Sequence, residues 1–468
     1  MNVILIKTLQ LLLCLSLLIV LHEGGHFGFA KLFKVRVEKF FMFFDYKFHL
    51  FSTRDSWFTR LFPRFKNNET EYGIGWIPLG GYVKIAGMVD ESLDTEQLKQ
   101  PAKPDEFRSQ KVWKRFFIMV GGVLMNLLTA FVIYSGIMLA NGEDRIKTST
   151  ITQGFAFNQE AEALGFRDGD ILLRFDDEDV YLRNSYAIPL QDLCRSKKVV
   201  VNRNGQEVTI VMPEDGMNLI DVAYMQPPFM TPIAPALVQS VVEDTPAERA
   251  GMKEGCRLLA IDGCPIEYWN DYDSLYVRRM DVLGMKDCSR ADSLRMRQMV
   301  LVFQNPGAEA PDTVSLKLDE NYLLGVTRAM PDFELEHIDY NLLTCVPAGI
   351  HYGWGMLVDY VDQFRYVATP QGAKEVGSFI AIGNLFPNTW DWLRFWMLTA
   401  FISIALAVMN ILPIPGLDGG HVMMLLYEAI TGREPSEKVM VWFEYIGMGI
   451  IIALMLLAFG NDIRRFIL

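Results

Sequence analysis

The sequence is poor in histidine and cysteine, and it lacks a concentrated run of positive charge. Six histidines occur among 468 residues, and the net charge is −12. The sequence has no basic stripe of the kind that indicates binding to nucleic acid. The six cysteines form no C-x-x-C pair. Cys256 and Cys264 could form a disulfide if their side chains face each other, but free buried thiols fit at least as well, and the sequence does not decide.

The apolar N-terminus also lacks the marks of a secretory signal peptide. No short basic segment precedes the apolar run, and no A-x-A-like cleavage site follows it. From Val3 to Leu21 the only polar residues are Lys7, Thr8, Gln10 and Ser16. Continued to Ala30, this segment is long enough to cross a bilayer, which takes roughly 20 residues. The N-terminus therefore predicts a membrane span.

Hydrophobic residues make up 51% of the chain, and the mean hydropathy is +0.17. These values indicate a membrane protein with sizeable soluble parts, and the length allows about two to four domains. The apolar segments lie at about 3–30, 116–140, 392–412 and 439–460. Since each reaches the length of a membrane span, the sequence predicts four transmembrane helices.

Charge is distributed unevenly between these segments. Residues 31–115 contain 16 Lys/Arg against 11 Asp/Glu, whereas residues 142–390 contain 22 against 37. Basic residues mark the cytoplasmic side of a membrane. We therefore expect residues 31–115 inside, and residues 142–390 and both termini outside. Arg464 and Arg465 favour the opposite side for the C-terminus, but the first two spans are flanked by more such charges.

The first predicted span carries His22-Glu23-Gly24-Gly25-His26, an H-E-x-x-H motif. Residues four apart lie on one face of a helix, so His22 and His26 can offer two imidazole nitrogens to one Zn²⁺. Glu23 lies beside them, where it could take a proton from a water polarised by the metal. The alternative is a helix with ordinary polar residues, but ionisable groups at membrane depth are costly and are functional candidates.

The third predicted span leads into Asn410-Ile-Leu-Pro-Ile-Pro-Gly-Leu-Asp418-Gly-Gly-His421. The two prolines remove backbone donors and end the helix. Asp418 then needs a partner at membrane depth, and a zinc ion bound by His22 and His26 would supply one, with Asp418 as the third ligand. The alternative for Asp418 is a helix N-cap. His421 is a further candidate ligand, although a place outside the ligand set fits it better.

Two further stretches are candidates for contact with a substrate. Gly73 to Gly87 predicts two short strands around Pro78-Leu-Gly-Gly81. An exposed strand edge there could hold an extended peptide, but an ordinary surface hairpin fits the pattern equally well. Asn126 follows Gly121-Gly122 in the second span. It either faces the active-site cavity or, slightly favoured, makes a hydrogen bond between helices.

The acidic block contains an internal repeat, because residues 161–176 align without gaps to residues 247–262. Each copy predicts a short helix, a glycine-bounded turn and a strand that ends in Asp. The pattern resembles that of PDZ domains of bacterial periplasmic proteases, which bind extended peptide ends by strand addition. We place PDZ-like domains at 142–229 and 230–328, where they either bind peptide tails or act as a spacer or filter.

The remaining parts complete the predicted architecture. Residues 1–141 and 391–468 are the membrane parts, and residues 329–390 are a linker whose amphipathic helices either lie at the membrane interface or simply connect. The predicted fold class is a polytopic α-helical membrane protein with four transmembrane helices and two inserted α+β PDZ-like domains.

Together these motifs resemble those of the site-2 protease family, most closely its bacterial RseP-type members with tandem PDZ domains. The matching motifs are His22-Glu23-x-x-His26, Gly121-Gly122-x-x-x-Asn126, the tandem repeat, and Asn410-x-x-Pro-x-Pro-x-Leu417-Asp418-Gly419. The resemblance covers nearly the full length, including the order of the segments. The first and last motifs are highly specific when they occur together in membrane spans.

The resemblance implies an intramembrane zinc metalloprotease in the bacterial inner membrane, with periplasmic PDZ-like domains. Such enzymes cleave transmembrane segments of single-span proteins, such as anti-sigma factors or remnant signal peptides, in regulated intramembrane proteolysis. The implied roles are Zn²⁺ ligands for His22, His26 and Asp418, general base for Glu23, and substrate binding for Asn410, Gly80, Gly81, Tyr82 and Asn126.

One residue departs from the family pattern, which often has Pro where this chain has Gly122. We expect this difference to affect helix packing and to leave the metal site untouched. Two other classes of function stay open. A non-catalytic membrane adaptor with a structural metal would have no use for Glu23, and a metal transporter would need more intramembrane ligands.

Overall fold

The computed structural model describes residues 3–65, 68–78, 80–88, 101–183, 189–225, 227–284, 289–319, 322–329, 333–367, 369, 372 and 377–466. The chain forms two compact units. Unit 1 comprises Met1–Gly142 and Asp339–Leu468, and unit 2 comprises Glu143–Ile338. Unit 2 is therefore an insertion in the sequence of unit 1.

The helices of the described residues are α1 Val3–Leu32, α2 Ser56–Leu61, α3 Val112–Asn141, α4 Gln159–Leu164, α5 Leu190–Arg195, α6 Leu219–Ala223, α7 Pro246–Arg249, α8 Trp269–Gly284, α9 Arg290–Met296, α10 Cys345–Val367, α11 Phe379–Leu385, α12 Trp392–Ile411, α13 Asp418–Thr431 and α14 Glu437–Phe466.

The strands are β1 Val37–Met42, β2 Phe44–Ser52, β3 Glu71–Ile77, β4 Tyr82–Ile85, β5 Glu143–Lys147, β6 Phe155–Phe157, β7 Ile171–Phe175, β8 Glu178–Asp179, β9 Tyr181–Arg183, β10 Lys198–Arg203, β11 Gln206–Val211, β12 Met230–Pro232, β13 Val238–Val241, β14 Arg257–Ile261, β15 Cys264–Pro265, β16 Gln298–Gln304, β17 Asp312–Lys317, β18 Val326–Arg328 and β19 Leu335–Ile338.

Four helices of unit 1 are long and apolar enough to cross a membrane. They are α1, α3, α12 and the stretch Val439–Arg464 of α14. Each corresponds to one of the apolar segments predicted from the sequence, and the third ends at Ile411, one residue before the predicted end. Large apolar side chains of α14, such as Ile446, Ile452 and Leu456, are exposed, as expected of a helix that faces lipid. The chain is thus a multi-pass membrane protein with added β structure.

Glycines bring α1 and α3 into backbone contact. A Cβ atom on Gly25 would lie 2.2 Å from the carbonyl oxygen of Gly121, and one on Gly121 would lie 2.8 Å from the carbonyl oxygen of Gly25. Both separations are far below a normal contact, so only glycine fits at this crossing. The crossing holds the H-E-x-x-H motif of α1 against α3.

The segment between α1 and α3 forms a four-stranded sheet in the order β2-β3-β1-β4. The two strands predicted between Gly73 and Gly87 are present as β3 and β4, whereas Leu79 between them lies outside the described residues. The alternative of an ordinary hairpin is wrong, because β1 lies between them, parallel to β3 and antiparallel to β4. As a result, β4 is an edge strand of this sheet.

Unit 2 contains the internal repeat in two similarly built halves. Their sheets have the orders β8-β7-β10-β11 and β15-β14-β16-β17. The predicted helix, turn and strand are present in both copies, and the strands lead into Asp176 and Asp262, with φ of 51° and 49°. Each carboxylate accepts a hydrogen bond from the backbone N–H of a neighbouring strand, from Lys198 and Val300 respectively. The repeat is therefore structural as well as sequential.

The cysteines of unit 2 show no disulfide among the described residues. Cys256 is buried, Cys264 is exposed, and both are free. Burial raises the pKa of the Cys256 thiol to about 11. Cys288 lies outside the described residues. The alternative of free buried thiols therefore holds for Cys256, whereas Cys264 is free but exposed.

The helices predicted between unit 2 and the third span belong to unit 1. Tyr352 of α10 contacts Tyr134 of α3 through their rings. Asp462 of α14 accepts hydrogen bonds from the backbone N–H groups of Ser378 and Ala381, which satisfies free donors at the start of α11. These contacts hold α10 and α11 beside the apolar helices.

Candidate active site

The H-E-x-x-H motif lies on α1 and lines a cavity of about 830 Å³ inside unit 1. His22, Glu23 and His26 all contribute to its wall. The predicted helix at this position is confirmed. The two imidazole rings are on one face, with centroids 4.9 Å apart. This face of α1 supplies two nitrogen donors and one carboxylate to the same cavity.

Asp418 is the first residue of α13, and Leu417 is the N-cap. The alternative of Asp418 as the N-cap is therefore wrong. Tight backbone contacts fold the preceding segment: a Cβ on Gly419 would lie 2.1 Å from the carbonyl oxygen of Leu412, and one on Gly447 of α14 would lie 1.9 Å from that of Pro415. The turn aims the Asp418 carboxylate toward α1.

Three ligand atoms form a nearly equilateral triangle. The Oδ2 atom of Asp418 lies 3.3 Å from Nε2 of His22 and 3.3 Å from Nε2 of His26, and the two Nε2 atoms are 3.3 Å apart. A tetrahedral zinc ion with bonds of about 2.0 Å holds its ligand atoms about 3.3 Å apart. The donor types and their separations therefore fit zinc.

The surroundings of Asp418 also fit a cation. Its Oδ2 atom is buried and has no hydrogen-bond partner among the described residues. A buried carboxylate oxygen without a donor is costly unless a positive charge compensates it. Two neutral imidazoles carry no charge that compensates the carboxylate, and a metal ion between the three side chains would supply it. The three side chains are the candidate metal-binding group found in the described part of the chain.

Hydrogen bonds on the far side of each ring set the imidazoles for metal binding. Nδ1 of His26 lies 2.8 Å from the carbonyl oxygen of Ile118, to which it must donate. This leaves Nε2 of His26 as the free donor atom for a metal. Neither the identity of this carbonyl nor its position could be read from the sequence, since any residue of α3 could have provided it.

Asn126 holds the other ring. Its Nδ2 atom lies 3.1 Å from Nδ1 of His22, and its Oδ1 atom is buried without a partner among the described residues. When Nε2 of His22 binds a metal, Nδ1 carries the proton and needs an acceptor. Rotation of the Asn126 amide by 180° places Oδ1 beside Nδ1 of His22, so that Nδ1–H donates to Oδ1 and each of these two atoms has a partner. Asn126 thus makes the predicted bond between helices and also lines the cavity.

The other residues predicted to contact a substrate lie around the same cavity. Asn410, Gly80, Gly81 and Tyr82 are all in its wall. Nδ2 of Asn410 lies 3.4 Å from Nε2 of His22. A Cβ on Gly81 would lie 2.6 Å from Cγ2 of Ile19 and 3.4 Å from Cγ of Glu23, so the β4 edge approaches the H-E-x-x-H face closely. His421 also lines the cavity and is not in the triangle.

The expectation that Gly122 leaves the metal site untouched is wrong. A Cβ at this position would lie 2.5 Å from Cε1 of His22 and 2.5 Å from Nε2 of His26. Gly122 is therefore the surface of α3 on which both imidazole rings rest. The sequence offered one signal, the small-residue pair Gly121-Gly122, but did not show which of the two faces the other helix and which faces the rings.

Comparison with known proteins agrees with this site. The family described as Peptidase family M50 matches residues 10–454. Metalloprotease MmpA of Caulobacter vibrioides is 25% identical over 476 residues, which cover 99% of this chain and 96% of the relative. Regulator of sigma E protease of Haemophilus influenzae is 23% identical over 481 residues, or 97% of this chain and 98% of the relative. A candidate zinc metalloprotease of Xylella fastidiosa is 25% identical over 471 residues, or 96% of each chain.

The family match confirms the prediction of an enzyme that uses zinc. The adaptor and transporter alternatives are therefore set aside. The chain contains the donor set that the cofactor requires, His22, His26 and Asp418. It belongs to peptidase family M50, the site-2 protease family, and is a zinc metalloprotease.

Proposed function

We propose that this metalloprotease hydrolyses peptide bonds within transmembrane segments of other membrane proteins. The observation that supports this most directly is the triangle of His22, His26 and Asp418 next to helices that are apolar enough to cross a membrane. A metal site at that depth can reach few peptide bonds other than those of a membrane-embedded segment. Its substrates would be single-span proteins within the lipid bilayer.

The proposed chemistry uses Glu23 as the general base. A bound Zn²⁺ supplies Lewis-acid polarisation of the scissile carbonyl and of the attacking water. The Glu23 carboxylate lines the cavity beside the histidines, where it can take the proton of the water and pass it to the leaving amine. His22, His26 and Asp418 hold the metal, and Ile118 and Asn126 orient the two imidazoles.

The edge of β4 is the proposed binding place for the substrate backbone. A helical substrate has its backbone groups bonded internally, so it must unwind before a carbonyl can be attacked. Within the described sheet, β4 pairs on one side with β1, and its first residue Tyr82 lines the cavity together with the preceding Gly81. An unwound segment could add to this edge as a further strand. Asn410 could donate to a carbonyl that the unwinding frees.

The contact with His22 supports a second role for Asn126. We assign it to orienting His22 rather than to binding substrate directly. The distinction is testable, since a ligand-orienting residue changes metal affinity without any substrate present.

The cellular setting is part of the proposal. The positive charge of residues 31–115 supports their placement on the cytoplasmic side of a bacterial inner membrane. Residues 142–229 and 230–328 would then be PDZ-like domains in the periplasm, binding peptide tails or limiting the size of the substrate. The relative named Regulator of sigma E protease supports anti-sigma factors as substrates, in regulated intramembrane proteolysis. Remnant signal peptides are a second proposed class of substrate, which the same reaction would cleave.

Cleavage of a model single-span protein in detergent tests this function. We expect a cut inside the span by the wild-type protein, and none by Glu23→Gln or after zinc is removed with a chelator. The Glu23→Gln variant should still bind one zinc ion, because Glu23 is outside the ligand triangle. A cut outside the span, or equal cleavage by Glu23→Gln, would contradict the proposal.

A further inference from the structure

A buried ion pair connects α3 to α13 at the end of the interface remote from the metal triangle. Arg115 of α3 donates to Glu428 of α13, and their side chains are 9% and 12% exposed. Glu434, which is 63% exposed, lies 3.5 Å from the same guanidinium. Arg115 is thus held mainly by Glu428, away from solvent.

The residues that follow Arg115 on α3 form one continuous face. Met119, Gly122 and Asn126 lie at intervals of four, three and four residues, which is the spacing of one side of a helix. Met119 packs with α13, Gly122 supports both imidazole rings, and Asn126 contacts His22. The same face of α3 therefore contacts the ion pair, the apolar interface and the metal ligands.

The matching face of α13 runs in the opposite direction. Val422 and Leu425 pack against Met119, between Asp418 at one end and Glu428 at the other. The ten residues from Asp418 to Glu428 span about 15 Å of helix. The position of α13 along α3 consequently determines where Asp418 stands relative to the histidines.

Apolar contacts alone fix this position poorly, because methionine, valine and leucine side chains pack acceptably in neighbouring registers. A slip by one helical turn would displace Asp418 by about 5.4 Å, more than the 3.3 Å separations of the triangle. Such a slip would also separate Arg115 from Glu428, its only buried acidic partner among the described residues, because the other neighbouring carboxylate, Glu434, is exposed to solvent. Buried polar pairs are best attested as devices that specify register.

We propose that Arg115 and Glu428 are positioning residues for the third metal ligand. Their ion pair sets the register of α13 on α3 and so holds Asp418 in reach of His22 and His26. The inference rests on the proposed metal site. It assigns no contact with substrate or metal to Arg115 or Glu428.

The test measures zinc affinity in detergent by competition with a chromophoric chelator, without substrate. The variants are Arg115→Met, Glu428→Met, the double Met variant, and the charge swap Arg115→Glu with Glu428→Arg. We expect the single variants to raise the Kd for zinc by about 10- to 100-fold, as loss of an orienting contact does elsewhere. The charge swap should restore it. The visible spectrum of the Co²⁺-substituted protein should change and recover in parallel.

The double Met variant separates register from stability. It removes both charges, so the apo-protein should recover thermal stability, while its Kd for zinc should stay raised. Wild-type affinity in this variant would overturn the proposal and leave the pair a purely stabilising role. If the single variants do not fold, the double variant and the charge swap still decide the question.

A control is the partly buried pair of Arg203 and Asp170 in unit 2, whose side chains are 19% and 1% exposed. Arg203→Met should lower thermal stability and leave the Kd for zinc unchanged.

The His22→Ala variant tests the metal site, on which the positioning role rests. Equal zinc affinity of wild type and His22→Ala would reject the metal site itself. If the Kd for zinc were raised in His22→Ala but unchanged in Arg115→Met, only the positioning role would be rejected.

Discussion

Gly122 lies directly behind the ring of His26, so that a Cβ at position 122 would come within 2.5 Å of Nε2. The nitrogen that His26 contributes to the candidate metal-binding group therefore has backbone, and no side chain, on one side. The close packing of α1 on α3 at Gly121 and the placement of the rings at Gly122 therefore depend on adjacent glycines.

We expect Gly122→Ala to weaken zinc binding, by about 10- to 100-fold, because both rings must shift. Chelator competition measures the change. Gly136→Ala is the matched control on α3, since a Cβ there meets nothing within 4 Å, and alanine is the better helix former. Equal effects of the two substitutions would show that α3 itself, and not the ring contact, is responsible.

Asn126→Leu should raise the Kd for zinc by about tenfold or more, because Nδ1 of His22 loses its partner. The side chain is of similar size, so the fold should persist. Thr399→Val serves as the control, since that buried hydroxyl donates within its own helix to Phe395. An unchanged Kd in Asn126→Leu, with reduced cleavage, would instead favour direct contact of Asn126 with substrate.

Gly81→Ala should reduce kcat/KM for a single-span substrate by about tenfold or more, since a Cβ there would lie 2.9 Å from the carbonyl oxygen of Phe41 and push the β4 edge from its place. Zinc affinity should not change. Gly28→Ala on α1, where a Cβ meets nothing within 4 Å, should leave both quantities as in the wild type. If Gly81→Ala lost zinc as well as activity, the result would indicate that the substitution disturbs the face of α1 that carries Glu23 rather than displacing β4.

Thiol reactivity checks the state of unit 2. With its pKa raised to about 11 by burial, Cys256 has about one thiolate in a thousand molecules at pH 8, and its side chain is shielded. An alkylating reagent should therefore modify Cys264 and spare Cys256 in the native protein, as peptide mass mapping would show. Denaturation should expose both. Protection of Cys264 in the native protein would contradict its exposed position.

The sequence was sufficient to select the three side chains that the structure brings together as a candidate metal-binding group, because zinc chemistry restricts ligands to a few residue types. Two histidines four apart and an aspartate after a proline-broken span have few alternative uses at membrane depth. The positions of the four apolar helices could be predicted from hydropathy, because the thickness of a bilayer sets the length of apolar sequence that a membrane-spanning helix needs.

Relationships between distant segments were not predictable in this way. β1 inserts between β3 and β4 through one parallel and one antiparallel pairing, and local residue pattern carries no information on that choice. The contacts of Gly122 with the imidazoles, and of Arg115 with Glu428, depend on the rotation and register of packed helices. A shift of one residue in the rotation or register of a helix would bring different side chains to the interface without changing the hydrophobic pattern of the sequence.

The two ends of unit 2 are joined by strand pairing: Glu143 of β5 is opposite Ile338 of β19. Directly opposed residues in an antiparallel pair have Cα atoms about 5 Å apart. The first and last residues of unit 2 are therefore neighbours in one strand pair. Excising Glu143–Ile338 and joining Gly142 to Asp339 should need only a short connecting peptide. Unit 2 could then be removed or exchanged as a cassette, because its two ends need so little chain to be joined.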